Sequence, residues 1–184
     1  MEKEQIIMGI DPGTNIMGYG LIGTKKNQVF LITMGVLKLS KYPDHALKLK
    51  KIFERSLSLI DQFHPDELSI EAPFFGKNVQ SMLKLGRAQG VVLAAALYRD
   101  IPVTEYSPRK VKQSITGRGG ASKEQVAAML GHLLKLRDES EYMDATDGLA
   151  VAMCHYFQRG TGKGDKKYAN WKAFLNNNPE RSSG

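Results

Sequence analysis

The chain has 184 residues, 42% of them hydrophobic, which is enough apolar material for one folded domain or for one domain followed by a tail. No stretch approaches the roughly 20 apolar residues of a membrane-spanning helix, and the opening MEKEQ does not resemble a signal peptide. The single cysteine, Cys154, cannot form an internal disulfide, so we expect a cytoplasmic protein with no membrane segment.

The positive charge is concentrated in the middle of the chain. The formal net charge is +7, yet residues 1–71 carry nine basic and nine acidic side chains and are neutral. Residues 72–123 carry nine basic side chains against two acidic ones. Such a segment suits a polyanionic partner such as nucleic acid, although a solvated helix face explains a charge run equally well.

The first half of the chain predicts strands followed by a helix and another strand. Residues 6–11, 19–24 and 29–37 are apolar runs separated by glycines and short turns, which favours an antiparallel meander. Residues 45–63 have helical apolar spacing, and His64-Pro65 ends that helix. Residues 67–71 form a short strand that ends, like the first, on a carboxylate.

The second half alternates helix and strand. Strong helix formers predict a helix over 79–98, and a strand follows over 101–106. A short helix begins after Ser107, with a proline in its first turn, and a glycine-rich loop covers 116–120. Ser122 and Gln125 predict a capping box for the next helix, which runs to about residue 135.

A last helix over 142–158 completes an α/β domain, with a mixed sheet (an antiparallel three-strand meander, then parallel strands) flanked by helices. We assign this domain to residues 1–158. Residues 159–184 begin with linker-like composition and have a net charge of +4, which indicates a basic, flexible tail.

Four carboxylates are the main candidates for chemistry. Asp11 and Glu71 end strands, where sheets of this class present functional groups, and Asp144 and Asp147 lie three apart on one helical face. Each has an ordinary alternative, namely a turn at Asp11, a salt bridge at Glu71 and a helix N-terminus for the pair. Together they indicate a site for two hard cations, Mg²⁺ or Mn²⁺, which would relieve their mutual repulsion.

Five ordered blocks of sequence carry a family resemblance. They are GIDPGTNIMGYG, SIEAPFFGKN, SMLKLGRAQG, EYSPRKVKQSITGRGGASKEQV and DATDGLAVAMCH. Through them, residues 6–158 resemble the RuvC family of Holliday-junction resolvases, within the RNase H/integrase-like superfamily. The family's metal-binding acids match Asp11, Glu71, Asp144 and Asp147. Thr146 and Gly148 stand where the family often has alanine.

The resemblance implies a homodimeric endonuclease that cuts four-way DNA junctions by paired symmetric nicks, using two Mg²⁺ ions per subunit, with Mn²⁺ able to substitute. It implies phosphate contacts from Lys112 and Lys123, and stacking of Phe74 on a junction base. It also implies cooperation with the RuvA–RuvB branch-migration complex. Three further basic residues extend the expected DNA contact: Arg109, Lys110 and Arg118. Gly86 and Gly90, four apart on one helix, are our expectation for the dimer interface.

Three other functions fit part of the sequence. The opening G-I-D-x-G-T also begins actin-like ATPases and sugar kinases, but those proteins are about twice as long and need a second phosphate-binding segment. A non-catalytic junction binder on the same fold would be expected to have lost an acid, whereas all four are present. A nuclease of the same superfamily that acts on RNA is the closest enzymatic alternative.

Overall fold

The structure, a computed structural model, describes residues 4–26, 28–73, 78–136 and 143–159. It contains five strands: β1 (Gln5–Asp11), β2 (Ile16–Lys25), β3 (Gln28–Lys38), β4 (Glu67–Glu71) and β5 (Val103–Tyr106). It contains five helices in these ranges: α1 (His45–Phe63), α2 (Val79–Tyr98), α3 (Pro108–Thr116), α4 (Lys123–Leu134) and α5 (Met143–Gln158). Every predicted element is therefore present in the described part of the chain.

The strands form one mixed sheet in the order β3-β2-β1-β4-β5. The pairings β1–β2 and β2–β3 are antiparallel, and β1–β4 and β4–β5 are parallel. The predicted meander followed by parallel strands is confirmed.

The helices cover the two faces of the sheet. Met8, Ile10 and Leu68 point to one face, where they pack against apolar residues of α1 and α2. Ile7 and Ile22 point to the other face, where they pack against α3, α4 and α5. The strand alternation therefore divides the core into two apolar clusters, one on each side of the sheet.

Glycines in β1 and β2 let α5 lie very close to the sheet. A Cβ atom at Gly20 would lie 2.5 Å from Cα of Leu149, and one at Gly148 would lie 2.5 Å from Cα of Tyr19. Gly9 and Gly18 face the α5 backbone in the same way. A larger side chain at these positions would push α5 away from the strand that ends on Asp11.

Two strand boundaries differ from prediction. β2 begins at Ile16 rather than at residue 19, because Gly18 lies inside the strand beneath α5 and does not break it. β5 begins at Val103 rather than at residue 101, because the turn after α2 holds Asp100 at φ 55° and Pro102 donates no ladder hydrogen bond.

The capping predictions hold. Ser122 and Gln125 form the full capping box at α4, and Ser107 caps α3 with proline in its first turn.

No helix in the described ranges is long and apolar enough to cross a membrane. Phe74 and residues 160–184, which include nearly all of the expected tail, lie outside the described residues.

Candidate active site

Asp11 and Glu71 lie side by side at one edge of the sheet. They end the adjacent parallel strands β1 and β4, in which Ile10 is opposite Ile70. Both side chains are half-buried. The strand register therefore places these two strand-end acids at the same edge of the sheet.

The helix α5 brings the other two acids to this edge. Asp144 and Asp147 lie in its first turns, and the backbone of Asp144 faces Gly18, which is paired with Asp11 across β1 and β2. Asp147 is half-buried and lines the same cleft as Asp11 and Glu71, whereas Asp144 is exposed and does not line it. Asp144 therefore stands at the rim of the acidic group.

The acids act on one another electrostatically. Burial and the negative charge of Asp147 raise the pKa of Asp11 to about 7, and Asp144 adds to this effect. Burial and the charges of Asp11 and Asp147 raise the pKa of Glu71 to about 8. Without a compensating cation, ionisation of these acids is opposed both by desolvation and by the neighbouring negative charges.

A lysine partly compensates this negative charge. Lys123 Nζ lies 2.6 Å from Oδ2 of Asp147, and its positive charge also lowers the pKa of Asp11 and Glu71. This hydrogen bond, together with the nearby acids, raises the pKa of Lys123. Within the described ranges, no three carboxylate, imidazole or thiol groups converge into a ready-made cation site.

The acids and several cations share one cleft of about 920 Å³. Its charged lining residues are Asp11, Glu71, Asp147, Arg109, Lys112 and Lys123. The cleft therefore combines oxygen donors suited to a hard divalent ion with positive groups suited to a phosphate backbone.

The helix α3 supplies two of these cations. It is fixed against α5 by a hydrogen bond of 3.2 Å between Ser114 Oγ and Cys154 Sγ, and Ser114 Oγ also donates to the Lys110 carbonyl. Arg109 and Lys112 line the cleft, and Lys112 lies close enough to lower the pKa of Glu71. Lys110 does not line the cleft.

The glycine-rich loop forms another part of the wall. Gly119 and Gly120 line the cleft, and Gly117 has the positive φ of 76° that ends α3. Arg118, in the same loop, is exposed and does not line the cleft. Of the five basic residues predicted to contact DNA, three line the cleft, and Lys110 and Arg118 do not.

Comparison with known proteins identifies the family. The family model for Crossover junction endodeoxyribonuclease RuvC matches residues 7–155, a span that includes all four acids. The chain belongs to the RuvC family.

Individual RuvC proteins agree with this assignment. The chain is 59% identical to Crossover junction endodeoxyribonuclease RuvC of Cytophaga hutchinsonii, over 97% of this chain and 88% of that protein. It is 58% identical to the protein of the same name in Porphyromonas gingivalis, over 97% of each chain. A solved structure of Thermus thermophilus RuvC in complex with Holliday junction substrate has a TM-score of 0.79 and 32% identity, covering 88% of this chain and 98% of that one.

The cleft also contains residues that were not predicted from the sequence as site residues. Ser107 and Pro108 line it, although the sequence showed them only as the start of α3. The available signal was their position immediately before a helix rich in basic residues. His155 Nδ1 shares a hydrogen bond of 2.8 Å with the Tyr106 hydroxyl, and its Nε2 contacts Glu67. These contacts join α5 to the sheet, and sequence spacing does not reveal them.

Proposed function

We propose that this RuvC-family protein resolves four-way DNA junctions by hydrolysing phosphodiesters with the acids of the cleft. The protein is a crossover junction endodeoxyribonuclease. The observation that supports this activity best is the placement of Asp11, Glu71 and Asp147 in one cleft with Lys112 and Lys123. Recombination and DNA repair are the processes in which such an activity is used.

The donor set of the cleft fits Mg²⁺. All the candidate ligands are carboxylates, which suit Mg²⁺ or Mn²⁺ and are poor ligands for softer metals. The raised pKa values of Asp11 and Glu71 point the same way, because a divalent cation would stabilise the ionised acids that otherwise repel one another. Two bound Mg²⁺ ions would supply an activated water and charge stabilisation at the leaving oxygen.

In this proposal Asp11, Glu71 and Asp147 would hold the ions, and Asp144 would complete the set from the rim. Lys123, which contacts Asp147, would bind a phosphate of the DNA. Lys112 and Arg109 hold the neighbouring phosphates, and Lys110 and Arg118 extend this contact outside the cleft. The glycines of the 117–120 loop let the DNA backbone approach because they carry no side chain.

Phe74 is proposed to stack on a base at the branch point. It follows Glu71 by three residues in the sequence, and base–aromatic stacking contributes roughly 1–3 kcal/mol per base. Replacement of Phe74 by alanine is expected to impair cleavage more than binding.

A homodimer is proposed because paired symmetric nicks need two opposed active sites. The helix α2 carries an exposed stripe of apolar residues and glycines, composed of Val79, Leu83, Gly86 and Gly90 at spacings of three and four residues and of Leu97 seven residues further on. Val79 and Leu97 are 59% and 63% exposed, and nothing lies within 4 Å of a Cβ atom built at either glycine. This stripe suits close packing of two α2 helices.

Three further assignments complete the proposal. The RuvA–RuvB complex is the proposed partner in branch migration, and the cytoplasm is the proposed compartment. Residues 1–158 form the nuclease domain, and residues 159–184 form a basic tail whose first residue, Arg159, contacts Gln5 and Glu67.

The test is a cleavage assay on three substrates of the same sequence: a four-way DNA junction, a linear DNA duplex and an RNA–DNA hybrid. We expect paired nicks in the junction that require Mg²⁺ and are abolished by EDTA, with little cleavage of the duplex. Preferential cleavage of the hybrid would instead assign the protein to the RNA-directed nucleases of the superfamily. Binding of the junction without cleavage in either Mg²⁺ or Mn²⁺ would make it a non-catalytic binder.

A further inference from the structure

A second group of basic side chains lies on the other face of the sheet from α3 and α4. It consists of His45 and Lys48 at the start of α1 and Lys84 and Arg87 in the first half of α2. We call these four residues the α1–α2 basic surface. Lys84 and Arg87 are three residues apart on one helix, so they project to the same side.

This surface adjoins the active-site edge of the sheet. β3 runs parallel to β1, and at its end the backbone N–H of Leu39 donates to the Asn15 carbonyl at 2.7 Å, in the loop that follows Asp11. α1 begins soon afterwards, at His45, and Lys48 Nζ donates to Oδ1 of Asn15 at 3.4 Å. α2 likewise begins after the end of β4, which carries Glu71.

The three cations of this surface, Lys48, Lys84 and Arg87, lie close enough to His45 to act on it electrostatically. The pKa of His45 is lowered, first by burial and then by the positive charges of Arg87, Lys84 and Lys48. Asp44 opposes this effect, but its carboxylate already caps α1 by accepting from the Leu47 N–H at 2.7 Å.

Within the described ranges, the two charges that α2 contributes to this surface have no acidic partner. Lys84 and Arg87 are exposed, and among the described residues neither forms a salt bridge or a side-chain hydrogen bond. The Nε2 atom of His45 is buried and has no hydrogen-bond partner in the same ranges. Like charges held together without counter-charges are typical of a surface that binds an anion.

We infer that the α1–α2 basic surface binds the phosphate backbone of a second duplex arm of the junction. This inference rests on the proposed function. A junction sends duplex arms away from the branch point in different directions, whereas the basic wall made by α3, α4 and the glycine-rich loop lies on one face of the sheet. The second surface flanks the carboxylates from the opposite face, so the two surfaces together distinguish a branched substrate from a linear one.

The test compares the full-length wild-type protein with the double variant Lys84→Gln/Arg87→Gln. The matched control is Lys25→Gln/Lys26→Asn, which removes the same charge at the far edge of the sheet, where Lys26 has the positive φ of 46° that asparagine tolerates. Affinities for a four-way junction and for a linear duplex are measured between 50 and 200 mM salt without divalent cations. The oligomeric state of each protein is measured in parallel.

Loss of two phosphate contacts should weaken junction binding roughly 10- to 60-fold at 0.1 M salt and reduce the slope of log K against log salt by about 1.8. Duplex affinity should change less than about twofold, and the control should bind both substrates like the wild type. The inference is overturned if junction affinity is unchanged, if junction and duplex binding weaken equally, or if the control shows the same loss. A monomeric double variant would also overturn it, by assigning the charges to the subunit interface.

These outcomes are separable from failure of the proposed function. Wild-type cleavage of the junction in Mg²⁺ tests the proposed function, whereas the binding comparison is made without divalent cations. A wild-type protein that cuts the junction, with a double variant that binds it normally, would leave the proposed function intact and exclude the second arm surface.

Discussion

At the scale of single residues, Asp11 and Glu71 make the charge of the cleft depend on pH near neutrality. Their raised pKa values, about 7 and about 8, arise from burial and from the other acids, so both bind protons in the folded protein at pH values where the unfolded chain has lost them. At these two sites the folded state binds more protons than the unfolded state between about pH 4 and pH 8. The contribution of Asp11 and Glu71 to the stability of the metal-free protein should therefore fall as pH rises through this window.

This pH dependence of stability can be measured by thermal unfolding in EDTA from pH 5 to pH 8. We expect Asp11→Asn to raise Tm relative to the wild type at pH 8 and to have a smaller effect at pH 5, because it removes the ionisation that destabilises the fold. Addition of Mg²⁺ at pH 8 should restore the wild type and have a weaker effect on the variant. A constant difference in Tm across the pH range would contradict the raised pKa of Asp11.

Lys112 is the residue through which the DNA contact of the cleft can be tested separately from catalysis. It lines the cleft and lies near Glu71, so a phosphate held there would release one counterion. Lys112→Gln should weaken junction binding and reduce the salt slope by about 0.9. Lys135→Gln, at the C-terminal end of α4, is the control. An unchanged slope in Lys112→Gln would show that Lys112 does not contact the backbone.

At the scale of elements, the close approach of α5 to the sheet brings Asp147 to Asp11. The small residues Gly9, Gly18 and Gly20 make this approach possible. The sequence predicts glycines such as Gly18 as breaks between strands. A glycine inside a strand and a glycine in a turn cannot be told apart from sequence without knowing that a helix packs against it. The strand and helix identities were predictable, since apolar spacing and capping residues are local, whereas this packing was not.

Gly20→Ala tests the role of this approach. The added methyl group would meet the backbone of Leu149, so α5 must shift, and we expect a destabilisation of about 1–3 kcal/mol, the usual cost of overpacking. Cleavage should fall further than this, because Asp147 moves with α5. Gly120→Ala is the control for the Tm comparison only, since a Cβ there meets nothing within 4 Å but the residue lines the cleft. Equal Tm values for the two variants would show that α5 shifts without loss of stability.

The pairing of Lys123 with Asp147 also could not be predicted from sequence. Lys123 opens α4 and Asp147 lies in α5, so their 2.6 Å contact depends on how the two helices pack. The acids themselves were predictable because each ends a strand or begins a helix, and the strand register then places two of them together.

At the scale of the whole molecule, the apolar stripe of α2 predicts that the protein is a dimer. Leu83→Asp places a charge in the middle of the stripe and should convert the dimer to a monomer in analytical ultracentrifugation. The monomer should make single nicks rather than paired symmetric ones. Phe53→Asp, which alters a 36% exposed apolar residue of α1 outside the stripe, should remain dimeric. A dimeric Leu83→Asp variant would place the interface elsewhere.

The proposed function depends on carboxylates that would hold divalent cations where a DNA strand is cut. Its most direct test is single-turnover cleavage of a four-way junction by Asp147→Asn, at saturating protein and with Mg²⁺. We expect the variant to bind the junction at least as tightly as the wild type and to cut it at least 100-fold more slowly, roughly the loss that follows removal of one group that stabilises transition-state charge. Cleavage within a few-fold of the wild-type rate would contradict it.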